Sequence, residues 1–308
     1  MKAIHYTAFG NSSVLQLVQV NMPTCADDEI LVKVIATTVN PFDIKIRIGS
    51  MQKTMPVQLP YVPGSDVSGI VEAVGKKVKR IQPGDRVFAT GSGGTYAEYT
   101  VLKENRVALI PANISANEAA ALAVPLTTSN TLLIETGHVQ AGQRILVHGA
   151  AGAVGSALVQ MAKALGCYVI GTASGKGVDQ IKALGINEAI DYKTQDFTKL
   201  VKNVDLVADL VGGETQVKSF EVLKKGGKLL SIVMPPSSEM AEKYGVEAKF
   251  IVSTPTLEKL EFGVKMVETG EIKAYIAKTM KLEQAAEAQD MISNGGINGK
   301  IVLEVSTP

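Results

Sequence analysis

The residues with the clearest chemical potential form a glycine-rich run, Gly149-Ala-Ala-Gly152-Ala-Val-Gly155, between the strand-like segment 144–148 and the helical pattern of 154–165. Glycines in such a turn let the backbone approach a pyrophosphate, and the start of the following helix presents N–H groups to the phosphate charge. An ordinary turn that packs a helix on a sheet is the alternative, because the spacing departs from the commoner Gly-x-Gly-x-x-Gly. The strand-turn-helix context predicts a dinucleotide site formed by Gly149, Ala151, Gly152, Ala153, Val154 and Gly155.

The segment about 20 residues after this turn indicates which nucleotide is bound, because a carboxylate there would bind the ribose 2′-hydroxyl of NAD. The chain instead reads Gly171-Thr172-Ala173-Ser174-Gly175-Lys176 and has no acid before Asp179. Hydroxyls and an ammonium suit a 2′-phosphate, so we predict NADP(H) as the cofactor, with contacts from Thr172, Ser174 and Lys176. The alternative is that Ser174 and Lys176 only cap and solvate the start of a helix.

The elements that must position these residues change character near residue 115. Before it, short β-branched runs alternate with turn residues and predict a mostly β region. These runs are 30–35, 67–71, 86–89 and 96–101. After it, Ser115 and Glu118 predict a capping-box start to a helix, and strand-like runs then alternate with helical patterns, which predicts a parallel, doubly wound sheet. Its strands are expected at 144–148, 168–172, 204–208, 228–233 and 249–253, and a closing strand at 301–305 is expected to rejoin the first region.

Composition excludes several classes of function. The 308 residues are 46% apolar and 20% charged, which argues against disorder, and 31 basic against 30 acidic residues give no electrostatic reason to bind nucleic acid or an anionic membrane. Only two cysteines are present, Cys25 and Cys167, which is typical of a reducing compartment, so the cytoplasm is the expected location. No signal peptide is predicted, since no continuous apolar stretch follows Lys2, and no membrane span is predicted, since Pro125 and neighbouring polar residues interrupt the most apolar segment, 119–133.

With these segments in view, the sequence resembles the medium-chain dehydrogenase/reductase superfamily, in its zinc-free quinone oxidoreductase and enone reductase branch. The motifs that carry the resemblance are, besides the glycine turn, segments 40–43, 63–71, 84–87, 93–99 and 299–303. The resemblance implies an α/β fold: a GroES-like, mostly β catalytic domain of residues 1–121 and 259–308, and a Rossmann NADP-binding domain of residues 122–258, with the active site in the cleft. It also implies frequent homodimers through an edge strand of the nucleotide sheet, here 249–253.

The same resemblance implies further cofactor contacts. Thr127, expected at a helix start, matches a threonine close to the nicotinamide, and Tyr192 matches a tyrosine near the adenosine phosphate or ribose. Loops after the later strands add Val211, Gly212, Ser231, Ile232 and Val233, and Lys300 in the closing motif is also assigned to the cofactor.

Two departures from the zinc alcohol dehydrogenases of this superfamily bear on the chemistry. Asn40 stands where those enzymes carry a ligand cysteine, and Gly64-Ser65-Asp66 stands where they carry Gly-His-Glu. A zinc site needs several thiolate or imidazole ligands, and apart from the two cysteines the chain has only His5, His138 and His148. We therefore expect no metal, and a packed or solvated role for His148.

The expected reaction is hydride transfer from NADPH to an acceptor that is already electron-poor, either a quinone or an α,β-unsaturated carbonyl. Candidate donors to the oxygen that gains charge are Asn40, Lys45 and Tyr61. The alternatives are an Asx-turn for Asn40, surface solvation for Lys45 and packing for Tyr61, while Asp43 is expected to order its loop. A non-catalytic NADPH-binding or structural relative, and an alcohol dehydrogenase, are the alternative functions.

Overall fold

The computed structural model describes residues 1–91 and 93–307. The strands are β1 (Lys2–His5), β2 (Gln16–Gln19), β3 (Glu29–Thr38), β4 (Asp66–Val74), β5 (Arg86–Thr90), β6 (Tyr99–Lys103), β7 (Val107–Leu109), β8 (Arg144–His148), β9 (Tyr168–Ala173), β10 (Glu188–Asp191), β11 (Val204–Asp209), β12 (Leu223–Ser231), β13 (Glu247–Phe250), β14 (Ile276–Lys281) and β15 (Lys300–Glu304). The helices are α1 (Pro41–Arg47), α2 (Ala116–Asn130), α3 (Ala153–Ala164), α4 (Lys176–Ala183), α5 (Phe197–Leu200), α6 (Gly213–Ser219), α7 (Ser238–Tyr244), α8 (Leu257–Glu268) and α9 (Ala285–Asn294). Within the described ranges, no helix is long and apolar enough to cross a bilayer.

The chain forms two compact units. The first comprises Met1–Val124, Pro255–Val264 and 274–307, and the second comprises Pro125–Thr254 and Lys265–Lys273. The first unit includes Val124, and residues 265–273 belong to the second unit. The domain boundaries at 121/122 and 258/259 stay a prediction.

A seven-stranded sheet dominates the first unit, with β14, β15, β3, β4, β5 and β7 in spatial order and β6 also paired with β3. Strand β15 pairs antiparallel with β3, which confirms that the end of the chain returns to this unit. The antiparallel pairing brings three strand ends together: β3 ends at Thr38, β4 begins at Asp66, and β15 begins at Lys300. Polar residues at these ends are therefore neighbours in space.

Helix α1 follows β3 directly and interrupts a region that the sequence predicts as mostly β. Asn40 is its N-cap and Pro41 its first residue, and the Asp43 carboxylate accepts a hydrogen bond from the Asn40 backbone N–H at 2.8 Å. Proline at the first position and an acid in the first turn both favour a helix start. Seven residues are too few for a hydrophobic period, so the helix had only this local signal.

The second unit contains the predicted parallel sheet, with strands in the order β10-β9-β8-β11-β12-β13 and helices between them along the chain. Its central strands are buried on both faces, with Leu146, Ile170, Val207 and Leu229 at 0% exposure. The edge strand spans Glu247–Phe250 rather than the predicted 249–253, so residues 251–253 lie outside it.

Helix α2 begins at the predicted capping box: the Ser115 N–H donates to the Glu118 carboxylate at 2.8 Å, and the Glu118 N–H donates to the Ser115 hydroxyl at 3.2 Å. The helix continues past Pro125 to Asn130, so Thr127 lies near its end. The prediction that Thr127 stands at a helix start is therefore wrong. Pro125 lacks an N–H and therefore interrupts the intrahelical hydrogen bonds. Next to it, the Val124 N–H donates to a side chain outside the helix, Asp66 Oδ1, at 3.0 Å.

Candidate active site

The glycine turn lies between β8 and α3, as predicted. Gly149 has φ +71°, a left-handed conformation that favours glycine. A Cβ at Gly155 would overlap the carbonyl oxygen of Gly149, so only glycine lets the helix approach the turn this closely. At Gly152, the N-cap of α3, a Cβ would lie 3.3 Å from the same oxygen.

Backbone amides at the start of α3 are available to an anion. The Gly152 N–H donates to Gly149 O at 3.0 Å, and the Ser156 N–H makes the first intrahelical bond, to Gly152 O at 2.9 Å. The amides of Ala153, Val154 and Gly155 precede that bond, so the helix offers them no acceptor, and the helix dipole adds positive character. This arrangement fits the diphosphate of a dinucleotide.

Two predicted residues meet at the ends of β9 and β10. The Ser174 hydroxyl donates to the Tyr192 hydroxyl at 3.0 Å, and Tyr192 is 57% exposed. Lys176 is exposed and is the first residue of α4. These groups fit a phosphate at this edge of the sheet.

Thr172 differs from its neighbours, because its side chain is 3% exposed and its hydroxyl lies 3.0 Å from Nδ1 of His148. Nε2 of His148 lies 3.0 Å from the Ser219 hydroxyl. Burial lowers the pKa of His148 to about 4, which keeps the ring neutral. A packed role for His148 is confirmed.

Asp209, at the end of β11, organises the later loops and was missed at the sequence level. Its carboxylate accepts hydrogen bonds from the Val211 and Gly212 N–H groups at 3.0 and 2.7 Å, from Ser231 Oγ at 2.7 Å and from Gln216 Nε2 at 3.0 Å. An acid at the end of an apolar strand, before a turn with two glycines, was the available signal. Of the predicted loop residues, Val211, Gly212 and Ser231 bond to this buried carboxylate, the Ile232 N–H donates to the backbone carbonyl of Asp209, and the Val233 N–H donates to Ser231 Oγ. Their cofactor contacts stay predictions.

Thr127 is also buried, at 2% exposure, and its carbonyl oxygen accepts hydrogen bonds from the Thr131 and Ser253 hydroxyls at 3.0 and 3.2 Å. Its position near the nicotinamide stays a prediction.

In the first unit, the three strand ends form a buried polar cluster. Lys300 Nζ donates to Asn40 Oδ1 at 2.5 Å and lies 3.0 Å from Asp66 Oδ2. Asn40 Nδ2 donates to Asp66 Oδ2 at 3.0 Å. Exposure is 5% for Asn40, 0% for Asp66 and 3% for Lys300. Asn40 thus uses its side chain in this cluster rather than in an Asx-turn, and Lys300, predicted to contact the cofactor, has Asn40 and Asp66 as its partners here.

Asp43 lies beside this cluster. It accepts hydrogen bonds from the Asn40 backbone N–H at 2.8 Å and from the Ser65 hydroxyl at 3.0 Å. Burial raises the pKa of Asp43 to about 7, although these two hydrogen bonds oppose the shift; the Asp66 charge raises the pKa further, and Lys300 lowers it. The expected ordering role of Asp43 agrees with its bonds to α1 and to the Ser65 loop.

The other two predicted donors differ in their surroundings. Lys45 is exposed on α1. Tyr61 packs edge-on against Tyr6, with 5.7 Å between ring centroids, and burial raises the pKa of Tyr61 to about 12. Tyr61 also lines a cavity of about 300 Å³ whose other walls are Phe42, Ile46, Thr54, Met55, Pro56 and Val57. Among the described residues, no charged side chain lines this cavity.

Comparisons with known proteins agree with this geometry. The family model "Alcohol dehydrogenase GroES-like domain" matches residues 26–112, and the model "Zinc-binding dehydrogenase" matches residues 184–303. Human quinone oxidoreductase is 31% identical over 322 residues, which cover 98% of this chain and 97% of that protein. The 2-methylene-furan-3-one reductase of Solanum lycopersicum is 35% identical over 323 residues, which cover 98% of this chain and 79% of that protein. Escherichia coli quinone oxidoreductase, solved as a complex with NADPH, has a TM-score of 0.90 and 28% identity and covers 99% of this chain and 100% of that one.

One of these models is described as zinc-binding, and Asn40, Ser65 and Asp66 are the residues of this chain that would have to hold the metal. Among the described residues, no three His, Cys, Asp or Glu side chains come together as metal ligands. The carboxylate of Asp66 is paired with the Lys300 ammonium, which would repel a second cation. The residues present do not fit zinc.

Proposed function

Because the chain belongs to the quinone oxidoreductase branch of the medium-chain dehydrogenase/reductase superfamily, we propose that it is an NADPH-dependent oxidoreductase that reduces a quinone or an α,β-unsaturated carbonyl. The observation that carries the proposal is the glycine turn at the start of α3, followed at the next strand ends by Ser174, Tyr192 and Lys176. The amides suit the diphosphate of a dinucleotide. The hydroxyls and the ammonium suit the 2′-phosphate that distinguishes NADPH from NADH.

The cavity in the first unit supports an apolar acceptor. Phe42, Ile46 and Val57 supply apolar walls, and a lining without charged side chains suits a neutral, flat molecule such as a naphthoquinone or an alkyl enone. Tyr61, like any tyrosine with a pKa of 10 or above, keeps its proton at neutral pH, and burial raises its pKa further, to about 12, so its hydroxyl serves as a donor rather than as a base.

Bound NADPH would supply a hydride to an electron-poor carbon of the acceptor, leaving NADP⁺ and an enolate or hydroquinone anion that takes a proton from solvent. The contribution of the chain is to orient the acceptor and to stabilise the charge that develops on its oxygen. Asn40 is the donor that we propose for this oxygen. Its Nδ2 group carries two hydrogens, and Asp66 accepts one of them.

The proposal also covers the location of the protein, its oligomeric state and its individual cofactor contacts. We place the protein in the cytoplasm, in keeping with two free cysteines. We also expect a homodimer formed through the edge strand β13, where Phe250 is 43% exposed. The cofactor contacts of the predicted residues in the second unit are part of this proposal as well.

The test is NADPH oxidation measured with four acceptors: a naphthoquinone, an alkyl vinyl ketone, an alkenal and a simple saturated aldehyde. We expect turnover with the quinone, the ketone or the alkenal and none with the saturated aldehyde, which lacks a conjugated electron-poor carbon. Tight NADPH binding without consumption of any acceptor would favour the non-catalytic alternative. Oxidation of a primary alcohol with NADP⁺ would favour the alcohol dehydrogenase.

A further inference from the structure

Opposite charges hold the two ends of the Asn40 side chain. Lys300 Nζ, which has only donors, lies 2.5 Å from Asn40 Oδ1, while the Asp66 carboxylate, which only accepts, lies 3.0 Å from Asn40 Nδ2. A flipped amide would set its NH₂ group against the ammonium and its oxygen against the carboxylate. The two charged residues therefore permit one orientation of the Asn40 amide.

The carboxylate that anchors this arrangement is itself held in place. Asp66 Oδ2 accepts a hydrogen bond from the Thr38 hydroxyl at 2.5 Å, and Asp66 Oδ1 accepts one from the Val124 N–H at 3.0 Å. The side chains of Lys300 and Asp66 are 4% and 0% exposed, so bulk water does not screen their charges. The ammonium thus stands at a defined point beside the amide oxygen.

We infer that Lys300 is a positioning residue for Asn40: it fixes the orientation of the amide and polarises it, so that the second Nδ2 hydrogen becomes a stronger donor to the acceptor oxygen. Hydrogen bonds in series reinforce one another, and an ammonium on the amide oxygen draws electron density from the nitrogen. The positive charge of Lys300 thereby acts on the acceptor oxygen through the Asn40 amide, in a cluster whose residues do not fit zinc. This inference rests on the proposed function, in which Asn40 contacts the acceptor.

A first experiment tests the polarisation without turnover. The side-chain amide of Asn40 is observed by NMR in protein labelled with ¹⁵N at asparagine, and its signals are assigned by their loss in Asn40→Ala. In Lys300→Met, both Nδ2 hydrogens should move upfield and the amide should rotate faster, because the C–N bond loses double-bond character. Lys281→Met is the matched control, since it removes an exposed lysine whose Nζ lies 2.7 Å from Glu304 in the same sheet. Asn40 signals that do not move in Lys300→Met would overturn the inference.

A second experiment tests whether Lys300 acts through Asn40 during turnover. With a naphthoquinone as acceptor, Lys300→Met should lower kcat about tenfold or more, while KM for NADPH stays within about twofold and Lys281→Met resembles the wild type. In an Asn40→Ala background, Lys300→Met should lower kcat by less than about twofold. An unchanged kcat in Lys300→Met, or an equal loss in both backgrounds, would overturn the inference.

The variant Asp66→Asn/Lys300→Met removes both charges together and keeps the comparison possible if Lys300→Met alone does not fold. It should reproduce the kcat loss and the NMR shifts. If the wild type oxidises NADPH with none of the acceptors, the proposed function fails, while the NMR experiment still decides the role of Lys300.

Discussion

Lys300 and Asp66 form a buried ion pair, with 3.0 Å between Nζ and Oδ2, although the two residues are distant in sequence. The two side chains are 4% and 0% exposed, so bulk water does not screen the charges, and each charge has the other as its oppositely charged partner. Removing one partner of such a pair leaves an uncompensated buried charge, which costs about 3–5 kcal/mol, whereas removing both is far better tolerated.

Asp66→Asn should therefore lower the free energy of unfolding by about 3 kcal/mol, measured by urea denaturation. Adding Lys300→Met should restore part of that loss. Glu304→Gln, which breaks the exposed pair with Lys281, serves as the control and should cost no more than about 1 kcal/mol. A double variant less stable than Asp66→Asn would show that the two charges do not compensate each other.

Lys176→Ala should weaken the binding of NADPH about tenfold to 100-fold, because the lysine lies at the start of α4 where the 2′-phosphate is proposed to bind. NADH lacks this phosphate, so its affinity should change little. Calorimetric titration with both nucleotides measures the difference, and Lys182→Ala, on the same helix, should match the wild type. Equal losses for NADPH and NADH would refute the phosphate role of Lys176.

Gly155→Ala should abolish nucleotide binding and lower the melting temperature, because its Cβ would overlap the Gly149 carbonyl oxygen. Gly152→Ala is the matched comparison, since its Cβ would lie 3.3 Å from the same oxygen and Gly152 has φ −71°. Gly152→Ala should therefore weaken nucleotide binding less, and lower the melting temperature less, than Gly155→Ala. Equal effects of the two variants in titration and thermal unfolding would show that the turn does not depend on the absence of a Cβ at Gly155.

Asp43 makes stability depend on pH. Its folded pKa of about 7 lies above the usual value near 4, so between these two pH values the folded protein holds a proton on Asp43 that the unfolded chain has released. Stability should therefore fall as pH rises from about 4 to about 7 and level off above that range.

Asp43→Asn isolates this effect, because asparagine resembles the protonated acid and does not titrate. The stability of the wild type relative to this variant, from urea midpoints, should decrease between pH 4.5 and pH 7.5. Asp28→Asn alters an exposed carboxylate and should follow the wild type over the same range. If the stability of the wild type relative to Asp43→Asn stayed constant or increased with pH, the buried, protonated form of Asp43 would be contradicted.

The second unit was largely predictable because its signals are local. Runs such as Ile145, Leu146 and Val147 are wholly buried, which is why they read as continuous apolar strands of a parallel sheet. The glycine turn was also predictable, because Gly149 has a positive φ and Gly155 packs too closely against the Gly149 carbonyl to leave room for a Cβ.

The site in the first unit was only partly predictable. Asn40 was identified by its motif, but its partner Lys300 lies at the far end of the chain, and only the pairing of β15 with β3 brings them together. The resemblance placed Thr127 at a helix start, whereas α2 begins at Ala116, next to the predicted capping box, and continues past Pro125 to Asn130. The partner of Asn40 was thus decided by strand pairing between distant segments, which no local pattern reports.

We propose that the start of α3 holds a nicotinamide nucleotide and that the ends of β9 and β10 select NADPH. Calorimetric titration of the purified, folded protein with NADPH and NADH tests it most directly. We expect saturable binding of one NADPH per chain, with NADH bound more weakly. A protein that gives no binding signal with either nucleotide would contradict it.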